Sequence, residues 1–261
     1  MPGFEEIVGH EQIVTHLKSA MKLGKVSHAY ILSGEKGCGK KLLADVFAET
    51  LQCEKGGTEP CGSCHSCVQA QSGNHPDIIH LMHEKPNSIS VDDVRTQIVN
   101  DVLIKPYSGK YKIYIVPDAE KMTAAAQNAL LKTIEEPPAY AVILLLTNNK
   151  DRLLDTILSR CVSMTLGSVR ESEIEDYLKA NTGASHADIA FAAAFSLGNI
   201  GRALHVLDTE EFKDMLNDTM NVITHMKSME IYEVVSYAKS LTKYKNEIYD
   251  FLDIIMLWYR D

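Results

Sequence analysis

Short apolar runs alternate with stretches of helical periodicity along the first part of the chain. In residues 11–23, EQIVTHLKSAMKL, the residues Ile13, Leu17, Ala20 and Met21 recur at helical spacing and Gly24 follows as a C-cap, so a first helix is predicted there. After His28 the run AYILS carries no charge and predicts a buried strand; it leads directly into GEKGCGKK and then the helical stretch LLADVFAETL. Further apolar runs at 77–82, 112–116, 141–147 and 161–166 predict strands, with helical segments such as VDDVRTQIVNDVL and TAAAQNALLKTIEE between them. Strands alternating with helices predict an α/β fold with a parallel sheet covered on both faces.

After Leu166 the strand pattern stops. From Arg170 onward the periodicity is helical, interrupted at Thr182-Gly183 and at 198–201, which predicts a small all-α domain over 167–207. The stretch 208–261 reads as further helices ending on FLDIIMLWY, too apolar for a solvated terminus; it is expected to pack on a further helical domain or to form an oligomer surface. The expected domains are therefore 1–166, 167–207 and 208–261.

Composition narrows the function classes. With 261 residues, 45% hydrophobic, the chain can bury one substantial core and a second, smaller one. A charged fraction of 23% and a net charge of −9 exclude a disordered chain and a basic nucleic-acid coat, so any DNA contact is expected to be local. No apolar run approaches the ~20 residues that span a bilayer, and residues 1–10 carry Glu5 and Glu6 without an apolar h-region. No membrane association is expected, and the expected compartment is the cytoplasm.

In such a reducing compartment clustered cysteines read as metal ligands rather than disulfides. Cys53, Cys61, Cys64 and Cys67 bring two overlapping C-x2-C spacings and four thiolates, the number a closed tetrahedral Zn²⁺ site takes. Gly56, Gly57, Pro60 and Gly62 allow the tight turns between them, and His65 is expected to point outward. With no ligand position left open for water, the expected zinc is structural. Cys38 and Cys161 read as small buried hydrophobes.

The segment Gly34-Glu35-Lys36-Gly37-Cys38-Gly39-Lys40-Lys41 matches a phosphate-binding loop at both outer glycines and at Lys40, in the strand-to-helix setting such a loop requires. Backbone N–H groups and the helix N-terminus would face phosphate oxygens, and Lys40 would reach the terminal phosphates. The final position, which needs a hydroxyl to ligate Mg²⁺, is Lys41, whose ammonium repels the metal. Independently, the strand KIYIV ends in Pro117-Asp118-Ala119-Glu120, with proline where an acidic metal ligand belongs and Asp118 one place out of register. Mg²⁺ and hydrolysis are expected to be lost, while binding of ATP or ADP in the degenerate loop is left open.

The stretches KIYIVPDAEKMTAAAQNALLKTIEEPP and LLLTNNKDRLLDTILSRC, with GHEQIV, SHAYILSGEKGCGK and GNIGRAL, resemble the clamp-loader branch of AAA+ proteins, the group holding the bacterial gamma/tau and delta-prime subunits; the resemblance covers residues 4–207. It implies an AAA+ P-loop core, a small all-α lid and the start of a helical collar. The family's collar is normally longer than 208–261, so a truncated chain is expected. It also implies a zinc module at the cysteines. Ser159-Arg160-Cys161 matches the family's arginine-finger trio, placed at the start of the final strand after a long helical link. The planar fork of Arg160 is suited to a neighbouring subunit's γ-phosphate. Thr147-Asn148-Asn149 falls in the sensor-1 region, where without a metal the remaining role is a strand cap. Arg202 falls at the sensor-2 position, with a helix-end salt bridge as the alternative. Departures at Lys41 and Pro117 favour the delta-prime type over gamma/tau. The function implied is a scaffold within the DNA polymerase III holoenzyme, a nucleotidyltransferase complex, that completes a neighbour's ATPase site. Its implied partners are gamma/tau and delta subunits and, through the complex, the sliding clamp and primer-template DNA. A gamma-type ATPase holding magnesium on Asp118 is the alternative, and a zinc-finger DNA reader is disfavoured by the few basic residues around the cysteines.

Overall fold

The computed structural model of the chain describes residues 3–225, 252 and 254–256. It divides into two compact units, Met1–Ser168 and Val169–Asp261.

The first unit is built on five strands: β1 (Ala29–Ser33), β2 (Ile78–His80), β3 (Lys112–Val116), β4 (Ala141–Thr147) and β5 (Val162–Thr165). They pair in the order β2-β3-β4-β1-β5, all parallel, with Ala29 opposite Ile143 and Lys112 opposite Ala141. Every residue of β1, β3 and β4 is buried. This is why these strands read as continuous apolar runs rather than as alternation: both faces of the sheet are covered. The side-chain period of two sends neighbours to opposite layers. Ile113 and Ile115 join Tyr30, Leu32, Leu144 and Leu146 beneath α1 (Glu11–Lys22) and α2 (Lys40–Gln52). Tyr114 and Val116 join Ile31, Ile143 and Leu145 in the opposite layer, with Leu130 and Ile134 of α5 (Ala124–Glu135).

Between α2 and β2 lies the short α3 (His65–Gln71). Between β2 and β3 the predicted single helix is divided. It starts as α4 (Val91–Val94), capped by a reciprocal Ser90–Asp93 box, widens into a π turn over Arg95–Val99 and closes in a 3-10 turn at Asp101–Leu103. The widened turn carries Gln97, whose amide brackets the Met82 backbone, accepting from its N–H at 2.9 Å and donating to its carbonyl at 2.7 Å. The predicted long helical link before β5 is likewise two separate pieces, a 3-10 turn at Lys150–Arg152 and the one-turn α6 (Asp155–Leu158). The cause is Gln127 of α5, buried, which accepts the Leu154 N–H at 2.8 Å and donates to the Arg152 carbonyl at 3.1 Å, taking backbone groups a continuous helix would use.

The second unit is helical throughout its described residues: α7 (Glu171–Asn181), α8 (His186–Phe195), α9 (Ile200–Asp208) and α10 (Glu210–His225). Ser185 and Asn199 cap α8 and α9 by accepting N–H groups from Asp188 and Arg202. Phe195 stacks edge-on against Phe212 at 4.9 Å, joining α8 to α10. The remainder of the expected collar helices lies outside the described residues. Among the described residues no helix is long and apolar enough to cross a membrane.

Candidate functional site

The glycine loop leaves β1 at the carboxyl edge of the sheet, where open α/β sheets place their ligands. Gly34 is pinned by its N–H to the Thr147 carbonyl at 3.2 Å, and the chain after β5 crosses beside it through Leu166 N–H to the Ser33 carbonyl at 2.7 Å. A Cβ at Gly34 would stand 2.6 Å from the Leu166 carbonyl oxygen and 2.8 Å from Cys38 Sγ, so glycine is required there by space as well as by its φ of +156°. Gly37 and Gly39 have φ +91° and +93°, and Gly39 forms the N-cap of α2.

Lys40 is turned into its own loop. Its Nζ donates to the carbonyls of Gly34 and Glu35 at 2.7 and 2.6 Å and to Asn148 Oδ1 at 2.9 Å. Asn148 in turn donates through its backbone N–H and Nδ2 to the two carboxylate oxygens of Glu120, at 3.2 and 2.8 Å. The sensor-1 region is thus two things. Thr147 Oγ1 caps the strand by accepting the Asn149 N–H at 3.1 Å, as the strand-cap reading expects. Asn148 bridges the loop lysine to the end of β3, a link invisible in the one-dimensional pattern. Lys41 is exposed and borders a different space, a cleft of about 570 Å³ with Asp45, Glu49, His80 and Pro117 on its walls. Burial pushes the Asp45 carboxyl up, against the opposing pull of His80 and Lys41.

At the end of β3, Asp118 sits in the left-handed region at φ +48°, ψ +44°, a conformation that costs a non-glycine residue roughly 1 kcal/mol. Its carboxylate pairs with Lys121 Nζ at 2.9 Å, and the same ammonium donates to the Pro86 carbonyl at 2.9 Å. The carboxylate offered by the sequence as an alternative magnesium ligand is thus engaged by Lys121.

Arg160 follows α6, its Nη1 donating to the Thr156 carbonyl at 3.0 Å and to Ser159 Oγ at 3.2 Å. Its Nη2 pairs with Glu135 of α5 at 3.0 Å, with the two side chains 40% and 46% exposed. Cys161 beside it packs partly buried against the core, where burial pushes its thiol up to about 12. Cys38 also packs partly buried against the core, its Sγ 3.8 Å from Lys40 Nζ. In the second unit the Arg202 guanidinium lies 4.5 Å over the Phe195 ring, a cation–π contact.

The four clustered cysteines converge. Cys53 ends α2, Cys64 caps α3, and the four Sγ atoms lie within 4.8 Å of one another. Sulfurs bound tetrahedrally at about 2.3 Å from zinc stand about 3.8 Å apart; Cys61 and Cys67 Sγ are at 3.9 Å. Backbone N–H groups aim at three of the sulfurs: Cys61 N–H at Cys53, Cys64 N–H at Cys61 and Cys67 N–H at Cys64, at 3.3–3.4 Å. Such donors favour thiolates, and the Ser63 backbone N–H above all brings the Cys61 thiol down to about 6. Burial pushes the Cys67 thiol up instead, so its ionisation calls for a cation beside it. The cluster fits a tetrahedral metal ion. His65 is exposed, as expected of a non-ligand.

The sequence reading missed the polar residues that tie these pieces together. Asp77 is buried and its carboxylate accepts the N–H groups of Tyr107, Ser108 and Gly109 at 2.6–2.8 Å and the Ser108 hydroxyl at 3.2 Å. Burial by itself would raise this carboxyl; the four donors outweigh it and hold it below the usual carboxylate range. Several donors around one buried acid cannot be read from a lone aspartate before a strand.

Comparison with known proteins fits this geometry. A family model described as DNA polymerase III, delta subunit, matches residues 9–170. DNA polymerase III subunit delta' of Bacillus subtilis is 32% identical over 263 residues, covering 96% of this chain and 76% of that protein. DNA polymerase III subunit tau/gamma of Haemophilus influenzae is 38% identical over 176 residues, covering 67% of this chain, which spans only 25% of that relative's length. Among solved structures, a DNA polymerase III gamma subunit-related protein from Thermotoga maritima superposes with a TM-score of 0.52 at 25% identity, over 84% of this chain and 65% of that one. The RuvB Holliday junction branch migration motor of the same organism, at 15% identity and a TM-score of 0.52, shares the fold. The expected AAA+ P-loop architecture is therefore the observed one. With the family model matching from α1 to the end of the sheet unit, and a delta' relative matched across nearly the whole chain, the chain belongs to the DNA polymerase III delta subunit family.

Proposed function

We propose that the chain acts as a delta-prime type subunit of a clamp loader, contributing a scaffold and an arginine to a neighbour's ATPase site rather than hydrolysing ATP itself. The observation that carries this reading is the end of β3. Pro117 occupies the metal-ligand position and Asp118 is committed to Lys121 at 2.9 Å, so the carboxylate needed to hold Mg²⁺ is missing from one position and paired at the next. Lys41 removes the second protein ligand from the opposite side. The match across nearly the whole chain to a delta' subunit supports the same reading, since the tau/gamma relative is matched over only 67% of the chain.

Arg160 is the residue proposed to act in trans. Its guanidinium is permanently charged and planar, and its pairing with Glu135 is exposed, worth only about 0.2–1 kcal/mol. A γ-phosphate offered by an adjacent subunit would compete with this carboxylate and with the exposed bonds from Nη1 to the Thr156 carbonyl and Ser159 Oγ. Arg202 is the proposed sensor-2 residue of the lid, and Gly34, Gly37, Gly39 and Lys40 a relic phosphate loop. Cys53, Cys61, Cys64 and Cys67 would hold structural Zn²⁺, which orders the 53–67 segment and supplies no reaction chemistry. The proposed partners are gamma/tau and delta subunits, with the sliding clamp and primer-template DNA reached through the assembled complex in the cytoplasm. Residues 1–166, 167–207 and 208–261 would serve as core, lid and the beginning of a collar.

The test is ATP turnover in two settings. The chain alone is expected to show none, and a loader assembled with Arg160→Ala is expected to hydrolyse ATP and load clamps far more slowly; arginine fingers contribute roughly 10³–10⁵-fold in other NTPases. Turnover by the chain alone that Lys40→Ala abolishes would establish the gamma-type alternative. Wild-type turnover and loading with Arg160→Ala would remove the finger from the proposal.

A further inference from the structure

A directed chain of hydrogen bonds runs from the cysteine module to the turn that precedes β3. The Asp77 backbone N–H, 3.1 Å from His75 Nδ1, can only donate, so Nδ1 is the acceptor and the imidazole proton sits on Nε2. His75 Nε2 lies 2.9 Å from Ser66 Oγ and therefore donates to it, and the Ser66 hydroxyl passes its own proton to the Gln52 carbonyl at 2.7 Å. Every link is buried: Ser66, His75, Asp77 and Gln52 are each at most 7% exposed. Burial also lowers the His75 pKa, which keeps the ring in the neutral form this chain requires.

The two ends of the chain matter. Ser66 lies between the module residues His65 and Cys67, and Gln52 directly precedes Cys53. At the other end, the carboxylate of Asp77 gathers the N–H groups of Tyr107, Ser108 and Gly109. The turn so held displays Tyr107 at 88% exposure, shortly after Leu103 and Ile104, which are 77% and 63% exposed. Three large apolar side chains this open, within five positions, sit on a backbone that would otherwise be an ordinary surface loop.

We propose that Ser66, His75 and Asp77 are positioning residues that couple the cysteine module to the 107–109 turn, so that ordering of the module by its metal fixes the turn presenting Tyr107. The wiring rests on the proposed metal site for its trigger but not for its hydrogen bonds. The two can therefore fail separately. The Ile104 N–H is a built-in reference, because it donates to the Asp101 carbonyl at 3.0 Å and owes nothing to Asp77.

The experiment is residue-resolved amide hydrogen exchange on the full chain, with zinc content measured on each sample. In the wild type, chelation is expected to speed exchange at Tyr107, Ser108 and Gly109 while Ile104 and the β4 amides keep their protection. In zinc-bound Ser66→Ala the same three amides are expected to exchange roughly 2- to 12-fold faster, the effect of losing one hydrogen bond of ordinary worth. Should Ser66→Ala lose its zinc, or chelation unfold the whole unit, zinc-bound His75→Ala breaks the same chain away from the cysteines and decides the matter. Unchanged exchange at the three amides in the zinc-bound variant, or an equal rise at Ile104 and β4, overturns the coupling. A wild-type chain that binds no zinc overturns the metal trigger, and the Ser66→Ala arm still tests the wiring.

Discussion

Adding one methyl group at Gly109 should damage the first unit far more than its place in a surface turn suggests. The Gly109 N–H donates to Asp77 at 2.8 Å, which brings its Cα down onto the buried Gln52 amide. A Cβ there would stand 1.9 Å from Gln52 Oε1 and 2.6 Å from Cδ. The φ of Gly109 lies outside the left-handed region, so the penalty is collision alone. To make room, either Gln52 abandons its 2.6 Å bond to the Tyr111 carbonyl or the turn pulls away from Asp77. Overpacking together with a buried bond lost gives about 2–4 kcal/mol for Gly109→Ala. For a unit of this size that is a fall of roughly 4–16 °C in Tm. In a Gln52→Ala background the space exists already, and the same substitution should cost under about 0.5 kcal/mol, a coupling of at least about 1.5 kcal/mol between the two sites. Urea unfolding followed by far-UV circular dichroism measures all four proteins. Equal cost of Gly109→Ala in both backgrounds, or tolerance of it in the wild type, would refute the collision.

Other outcomes follow from the same structure. Arg160→Ala should lower the chain's own stability by less than about 1 kcal/mol, since its pair with Glu135 is exposed; a larger loss in denaturant unfolding would mean the arginine is a structural residue. Lys41→Thr alone should not create ATP turnover, because Pro117 still lacks a carboxylate; phosphate release from the single variant would show that Asp118 can leave Lys121. Purified chain should carry one zinc ion, and Cys64→Ser should lower both zinc content and Tm, with elemental analysis as the check. The Asp77 carboxyl is depressed in the folded state, so its contribution to stability is present above the unfolded value of about 3.9 and is lost as pH falls through the lower folded value. Asp77→Asn should therefore flatten the acid side of the stability profile, and an unchanged slope below that pH would contradict the assignment.

What the residues determined by themselves was whatever depends on local period and local chemistry. Burial on both faces makes AYILS, KIYIV and AVILLLT apolar at every position but one end residue each (Ser33, Lys112 and Thr147), so their strands were legible at their observed limits. Thiol spacing is likewise local, and the four cysteines read as one site do converge. Tertiary structure decided everything that rests on a polar side chain meeting backbone far away in sequence. Gln127 divides the link before β5 by binding Arg152 and Leu154, Asn148 joins Lys40 to Glu120, and Asp77 collects three N–H groups some thirty residues on. A hydrogen bond needs a partner within about 3.2 Å and in line, and periodicity along a chain carries no information about which distant groups the fold will bring to that distance.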